Sequence, residues 1–449
     1  MSVYYRLKYL SDKERVAQNL LDLRRSLRSH IRALRSGEAR SESLDSDRFL
    51  RLATWNIREF GANKKFGKRR DESLYYIAEI LSHFDLIAVQ EVNRDTTDFS
   101  KVTRILGSNW DFIATDVTEG TSGNEERMAF VFNRNKVWFR DFAGELVLPK
   151  TDRIKYPYEE RLRFSDGLSL QLPDGSSLQS PDGVETYRYR GKLRLNEEVA
   201  IDLPTGTWLQ LPEGSQIVLP RAKEIELTSN GRVVLPEGSQ VQLDKDDMAK
   251  LPRRSIVGDL LQFARTPYLV SFQAGWLKLN LCTVHIYYGK GKEGLERRKD
   301  EILGLTEFLA NRAKAEMHLD KESFFIALGD FNIMDREHET MQALLTNGFS
   351  VPEKLQSLPG SNVAKDHFYD QIAYWQPDPQ DTALKKAYSR LEVMAAGVYD
   401  FYNILYREGS ADPDGENEAY YSQFLQPGWD YREWRTYQMS DHLPMWVEL

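Results

Sequence analysis

The chain is poor in cysteine: among 449 residues there is only Cys282. A single thiol excludes an internal disulfide framework and any zinc cluster built on several cysteines. Long apolar runs are lacking too. No stretch approaches the ~20 residues of a membrane span, and the opening MSVYYRLKYLSDKERV has no apolar signal-peptide core. Positive charge is not in surplus, since 60 Lys and Arg stand against 68 Asp and Glu, a formal net charge of −8. The balance disfavours coating nucleic acid by bulk charge and leaves room for a local basic site. These absences predict a cytoplasmic protein of a reducing compartment without a membrane span. What is present suffices for a large core, with 41% hydrophobic and 29% charged residues. The length exceeds the roughly 100–200 residues typical of one domain, so one large domain with additions, or two domains, is expected.

Three textures follow one another along the chain. Residues 1–48 open with apolar side chains at Val16, Leu20, Leu23, Leu27, Ile31 and Leu34, in steps of three and four that predict an amphipathic helix. Arg24, Arg25, Arg28, Arg32 and Arg35 lie on its other faces and read as a solvated surface. The polar stretch from Ser36 to Asp47 reads as a linker. From Phe49 short apolar runs (FLRLATWNI, DLIAVQE, MAFVF, YLVSF, LKLNLCTVHI, FFIALGDFN) alternate with helical patterns at 71–83 and 294–312. That alternation predicts an α/β domain over 49–150 and 259–449. Residues 151–258 interrupt it. LPEGSQIVL at 211–219 returns as LPEGSQVQL at 235–243, with looser copies LPDGSS and LPTGTW. Pro followed two residues later by Gly suits a turn, so an inserted β-rich repeat module is expected. The uneven spacing of these phrases favours a small sheet or a long hairpin over a regular solenoid.

Five phrases place acidic, amide or imidazole groups at the end of a buried run: TWNIREFG (54–61), VQEV (89–92), CTVHIYYG (282–289), LGDFN (328–332) and SDH (440–442). Strand ends are where α/β sheets bind ligands. Alone, each phrase reads as an ordinary turn or cap; five in one domain call for another explanation. Glu91, Asp330, Asn332 and Asp441 are hard oxygen donors, which suits Mg²⁺ or Mn²⁺ and disfavours zinc. His285 and His442 can hold or move a proton near neutral pH; each needs a carboxylate to orient its ring, and Glu126 and Asp370 stand in strand-flanking positions. Arg265 is an always-charged fork able to grip a phosphate oxygen. Together these groups fit metal-assisted attack of water on a phosphate ester.

In the order NIREFG, QEV, the ER of EERMAFVF, the Arg before Pro-Tyr, VHIYYG, GDFN, YDQI and SDHLP, the chain resembles the endonuclease/exonuclease/phosphatase superfamily. The resemblance covers residues 49–150 and 260–449. It implies the deoxyribonuclease I-like four-layer αββα sandwich, here carrying the inserted module and the N-terminal helix. It further implies that Glu91 is the principal metal ligand and that Asn56 binds phosphate or helps fix the metal. Glu126 would orient His285, and Asp370 would orient His442. Asp330 and Asn332 would hold the nucleophilic water and the transition-state oxygens. Asp441 would complete a metal or base site beside His442, and Arg58 and Arg265 would contact phosphate. His285 places the chain with members that use two histidines.

Some residues depart from that pattern. Asn93 follows QEV where deoxyribonuclease I has an arginine, the loop before Glu126 (TEGTSGNE) lacks the tyrosine that stacks on the sugar, and the framework disulfides are missing. The implied activity is a Mg²⁺- or Mn²⁺-dependent phosphodiesterase acting on nucleic acid, DNA foremost, as an endonuclease. The alternative within the fold is a phosphatase or phosphodiesterase of a phosphoinositide, a sphingomyelin-like lipid or a nucleotide messenger, because fold does not choose between them. Basic residues around the site (Lys64, Lys65, Lys68, Arg69, Arg70, Lys290, Lys292) favour a polyanion. A catalytically dead binding module is disfavoured, since every mapped position is filled. The N-terminal helix and the inserted module are the candidate surfaces for a protein partner or self-association.

Overall fold

Nearly every side chain of residues 51–60 is buried, which suits a strand covered on either side, and they form a central strand of one sheet. The computed structural model describes residues 4–44, 47–61, 65–117, 126–147, 263–317, 323–377 and 391–449, together with the backbone of short strands between 161 and 250. The chain divides into two compact units, Met1–Pro149 with Gln262–Leu449, and Lys150–Leu261.

In the first unit one six-stranded sheet contains β1 (Arg51–Phe60), β2 (Leu86–Asn93), β3 (Trp110–Ala114), β4 (Glu126–Asn133), β11 (Ala395–Val398) and β12 (Met445–Glu448), in the order β11-β12-β1-β2-β4-β3. The other contains β5 (Trp138–Glu145), β6 (Tyr268–Ala274), β7 (Leu277–His285), β8 (Ser323–Asp330), β9 (Phe349–Ser350) and β10 (Asp370–Trp375), in the order β9-β10-β8-β7-β6-β5. Each sheet has one parallel pair at its centre, β1 with β2 and β7 with β8, flanked by antiparallel strands. The sheets pack face to face. Phe272 meets Phe130 and Phe132 with ring centroids 5.3 and 5.4 Å apart, and Gln90 donates across the gap to Thr283 Oγ1 at 2.8 Å.

Helices close both outer faces, completing the αββα order. On one side lie α1 (Lys13–Leu34), α2 (Asp71–Leu81) and α3 (Thr97–Leu106); on the other lies α4 (Gly291–Met317), which buries Ile302, Leu305 and Leu309. Helix α1 buries Val16, Leu20, Leu23, Leu27 and Ile31 within its own chain. Its arginines are not simply solvated: Arg24 donates to the buried Glu79 at 2.7 and 2.9 Å, and Arg35, itself buried, to Glu448 at 2.6 Å. A buried guanidinium needs such a partner to offset its desolvation. The expected linker after the helix contains a short 3₁₀ turn, Gly37–Arg40.

The second unit corrects one expectation. From Trp208 onward its strands are evenly spaced: those starting at Trp208, Gln216, Glu224, Arg232, Gln240 and Met248 follow one another every eight residues. The sequence has the same period, with leucine at Leu195, Leu203, Leu211, Leu219, Leu227, Leu235, Leu243 and Leu251. Strands three octads apart, Lys192–Arg194, Gln216–Val218 and Gln240–Gln242, pair antiparallel in one four-stranded sheet with Ser169–Gln171. An eight-stranded sheet holds the remainder. The uneven LPxGS phrases had concealed this period because only some octads contain them. Replacing 151–258 by a short Gly/Ser linker is expected to leave a cooperatively folding remainder. Loss of the thermal transition in the deletion variant would show instead that the insertion completes the core.

Candidate active site

The sheet register gathers the predicted groups at one edge. Parallel strands bring their C-terminal ends there, and antiparallel neighbours bring their N-terminal ends. His285 is thus opposite Asp330, and Asp330 opposite Asp370; in the other sheet Asn56 is opposite Gln90 and Asn93 opposite Glu126. At Glu91 the pairing of β2 with β4 is interrupted between Val89 and Val92, and the residue takes φ 60°. Glu59 (φ 42°) and Asn332 (φ 53°) share this left-handed conformation. Non-glycine residues pay strain for it, and such strain clusters at functional sites.

Two carboxylate–imidazole pairs face each other. His285 Nδ1 lies 3.1 Å from Glu126 Oε2 and His442 Nδ1 lies 2.8 Å from Asp370 Oδ2. Both rings turn Nε2 towards the same atom, Asp330 Oδ2, at 3.6 and 3.7 Å. Asn56 Nδ2 donates to that oxygen at 2.9 Å and to Glu91 Oε1 at 3.0 Å. The other Glu91 oxygen accepts from the Glu59 amide at 2.8 Å. Anchoring Nδ1 fixes both the tautomer and the ring plane, as a group that moves protons requires.

Burial pushes both imidazoles towards neutrality, yet each sits above its ordinary value. For His285, burial and Arg265 are outweighed by Glu126 and Asp330. For His442, burial is outweighed by Asp370, Asp330 and Asp441, which hold it well up. Burial also pushes Glu126 up, but His285 and Arg265 keep it below the usual carboxylate range. A raised imidazolium contributes stability that is complete below its unfolded value of about 6.5 and is lost as pH rises through the folded one. In chelator, the melting temperature of the protein should therefore fall on going from about pH 6 into the alkaline range. His442→Ala should flatten that slope, and an equally steep slope in the variant would refute the assignment. A divalent cation nearby would draw both values down.

Carboxylates at this edge (Glu91, Glu126, Asp330, Asp370, Asp441) outnumber the guanidinium groups of Arg58 and Arg265, which favours a cation. Asn56 Oδ1 is buried with no hydrogen-bond partner among the described residues, an oxygen left for a ligand. Glu91, Glu126 and His285 can bring ligand atoms within 4.8 Å of one another. Glu126, however, already accepts from Arg265 Nε and pairs with His285, and the guanidinium beside it repels a cation. The donors that fit a hard divalent ion are therefore the oxygens of Glu91, Asn56 and Asp330.

The remaining predicted residues lie around this centre. Arg265 is buried against Glu126, so its Nε is committed to that carboxylate. The side-chain amide of Asn332 donates to Ile286 O at 2.7 Å and its backbone amide to Asp330 Oδ1 at 2.9 Å. Arg58 and Asp441 pair at 3.4 Å on the rim, with the Arg58 guanidinium over the Tyr437 ring. Three residues of the expected basic track are used internally. Arg69 is buried and donates to Glu59 O at 2.8 Å, Arg70 pairs with Glu72 at 3.0 Å, and Lys65 pairs with Glu433. Lys64 and the loop 118–125 lie outside the described residues. Charge in a sequence does not reveal its partner, and here the partner is the protein itself.

Three supporting residues were not anticipated. Ser440 Oγ donates to Asn56 O at 2.6 Å and accepts from the amides of Arg58 and His442 at 3.2 and 3.0 Å. Arg298 and Glu301, both buried on α4, bond to backbone near His285. Ser440 belongs to the SDH phrase and so carried a signal; the α4 pair carried none.

No family model and no curated protein matches the chain. Solved structures similar to it include an endonuclease/exonuclease/phosphatase family protein from Bacteroides thetaiotaomicron, at 13% identity and TM-score 0.41, covering 89% of this chain and 97% of that one. A mannosyl-6-phosphatase from the same organism has the same identity and TM-score, covering 89% and 98%. D. rerio TDP2 complexed with single strand DNA product is 10% identical with TM-score 0.38, again covering 89% and 98%. At these values the likeness carries no argument; the fold is the one given by the sheet order and register above.

Proposed function

We propose that the chain is a divalent-metal-dependent phosphodiesterase, with nucleic acid as its substrate class. One observation carries the reading: two anchored imidazoles converge on a single carboxylate oxygen, Asp330 Oδ2, at 3.6 and 3.7 Å. A hydrolysis needs a proton taken from water and a proton given to the leaving oxygen. One imidazole accepts the water proton as the water oxygen bonds to phosphorus. The other donates as the P–O ester bond breaks. Asp330 Oδ2 lies within reach of both, with Asn56 bonded to it, and the two residues would hold the water and the phosphate oxygens. Glu91, Asn56 and Asp330 would hold the cation, which would supply charge neutralisation and Lewis acidity at the phosphate.

The charge balance supports a diester. A diester carries one negative charge and a monoester nearly two, while the nearby Arg58 and Arg265 already face carboxylates. Two rings suit a nucleic acid. Tyr288 is 43% exposed three residues beyond His285, and the Tyr369 ring centroid lies 5.4 Å from that of His442; aromatic faces bind bases irrespective of sequence. The test is purified protein with Mg²⁺ or Mn²⁺ against plasmid, single-stranded DNA, RNA, a phosphoinositide panel and simple phosphomonoesters. Hydrolysis of a nucleic acid is expected. Activity confined to monoesters would overturn the diester reading, and activity confined to the lipids would overturn the nucleic-acid one.

A further inference from the structure

Two buried, oppositely charged side chains on α4 do not touch the reacting centre yet hold the segments that form it. Arg298 is 4% exposed. Its Nη1 donates to Asn332 O at 2.8 Å, its Nε to Tyr287 O at 3.2 Å, and its Nη2 to Tyr288 O and to Gly289 O at 3.3 Å. Glu301 is fully buried. One of its oxygens accepts from the Ala264 amide at 3.1 Å and from Arg297 Nε at 3.2 Å; the other accepts from the Tyr287 amide at 3.2 Å. Apart from Arg297 on the same helix, the partners are backbone groups of three segments: the one entering Arg265, the one leaving His285, and the one leaving Asp330.

We infer that Arg298 and Glu301 form a positioning clamp that fixes His285 against Asp330 and Asn332, an inference that rests on the phosphodiesterase reading above. The chemistry of the pair suits this. A guanidinium is a planar fork of five donors that stays charged when buried, so it can satisfy four carbonyls from two loops at once. A carboxylate accepts only, and so takes the amides those loops leave over. Burial opposes the charge on each, pushing Arg298 down and Glu301 up, so neither is held there cheaply. The loops need an external hold because their own geometry is irregular. Asn332 has φ 53° and Gly289 φ 46°, and a Cβ at Gly289 would lie 2.6 Å from the Gly294 Cα on α4. Direct bonds between the loops, Ile286 N to Asp330 O at 2.8 Å and Asn332 Nδ2 to Ile286 O at 2.7 Å, fix their mutual register. The clamp fixes both to the helix.

The test uses the full chain. Arg298→Lys keeps the charge but loses the fork, and Glu301→Gln keeps the shape but loses an acceptor. With the metal and substrate that support wild-type turnover, each should lower kcat about tenfold or more, since small misplacements of reacting groups are costly, with KM within about twofold. In a His285→Ala background the same substitutions should cost little, because the group they position is gone. Hydrogen exchange at the Ile286 and Tyr287 amides should quicken in both variants whether or not substrate is known. Should Arg298→Lys fail to fold, Glu301→Gln decides alone. A kcat within twofold of wild type, a loss that stays the same in the His285→Ala background, or unchanged exchange would overturn the clamp. A wild type that hydrolyses no phosphodiester, with faster exchange in the variants, would support the clamp as a backbone device and take down the functional reading instead.

Discussion

His285→Ala and His442→Ala are each expected to lower turnover about 10²-fold or more, the usual worth of a positioned acid or base. The expectation comes from geometry. Each ring is pinned at Nδ1 by a buried carboxylate, and each Nε2 reaches the same oxygen of Asp330. Because both act on one displacement, the double variant should lose much less than the product of the single losses. Substrate KM should move little, since neither imidazole is needed to gather phosphate charge. Steady-state kinetics of the three variants decides the matter. Wild-type turnover in either single variant would remove that histidine from the chemistry and leave it as a buried hydrogen-bonding residue.

The second large effect concerns the cation. Chelation by EDTA should abolish activity, and Mg²⁺ or Mn²⁺ should restore it where zinc does not, because the available donors are oxygens. Glu91→Gln should keep the fold, since the amide can still accept from the Glu59 amide as Glu91 does now. It should raise the metal concentration needed for half-maximal activity by at least about tenfold, by analogy with the loss on altering residues at a metal site. The amide is neutral and so attracts a dication less. Calorimetric titration of Mn²⁺ into the wild type and the variant reads the same change without turnover. Full activity in chelator, or equal Mn²⁺ affinity in the two proteins, would contradict it.

The parts of this site legible in the sequence were those in which a buried run ends in a polar group. Asn56, Glu91, His285 and Asp330 each lie towards the end of such a run, and His442 just before one, Met445–Glu448, so strand and chemistry are announced by the same few residues. Glu126 and Asp370 were legible as strand starts, and the antiparallel register then sets them beside the parallel ends. What stayed hidden acts through the backbone or through the protein's own charges. Arg298 and Glu301 carried no signal within the 294–312 helical pattern, because the carbonyls and amides they serve have no signature in sequence. Arg69 read as part of a phosphate track, yet its guanidinium closes the loop from Arg58 to Gly61. Arg265 was placed on phosphate by its charge and by the resemblance; the structure adds a partner the sequence did not show, since its Nε donates to Glu126.

The octad of the second unit has a consequence for how this protein can change. Side chains alternate between the two faces of a strand, so a shift of one residue exchanges inside for outside. Eight is even. Gain or loss of a whole octad therefore returns every later residue to its former face, whereas an odd change inverts the rest of the segment. Copy number is then a variable that replication slippage can alter without destroying hydrophobic parity. Three octads separate Lys192–Arg194, Gln216–Val218 and Gln240–Gln242 in the four-stranded sheet, so a change of three should also return each of these strands to its own sheet. Length variation in this segment among related chains should accordingly fall on multiples of eight, with multiples of twenty-four favoured.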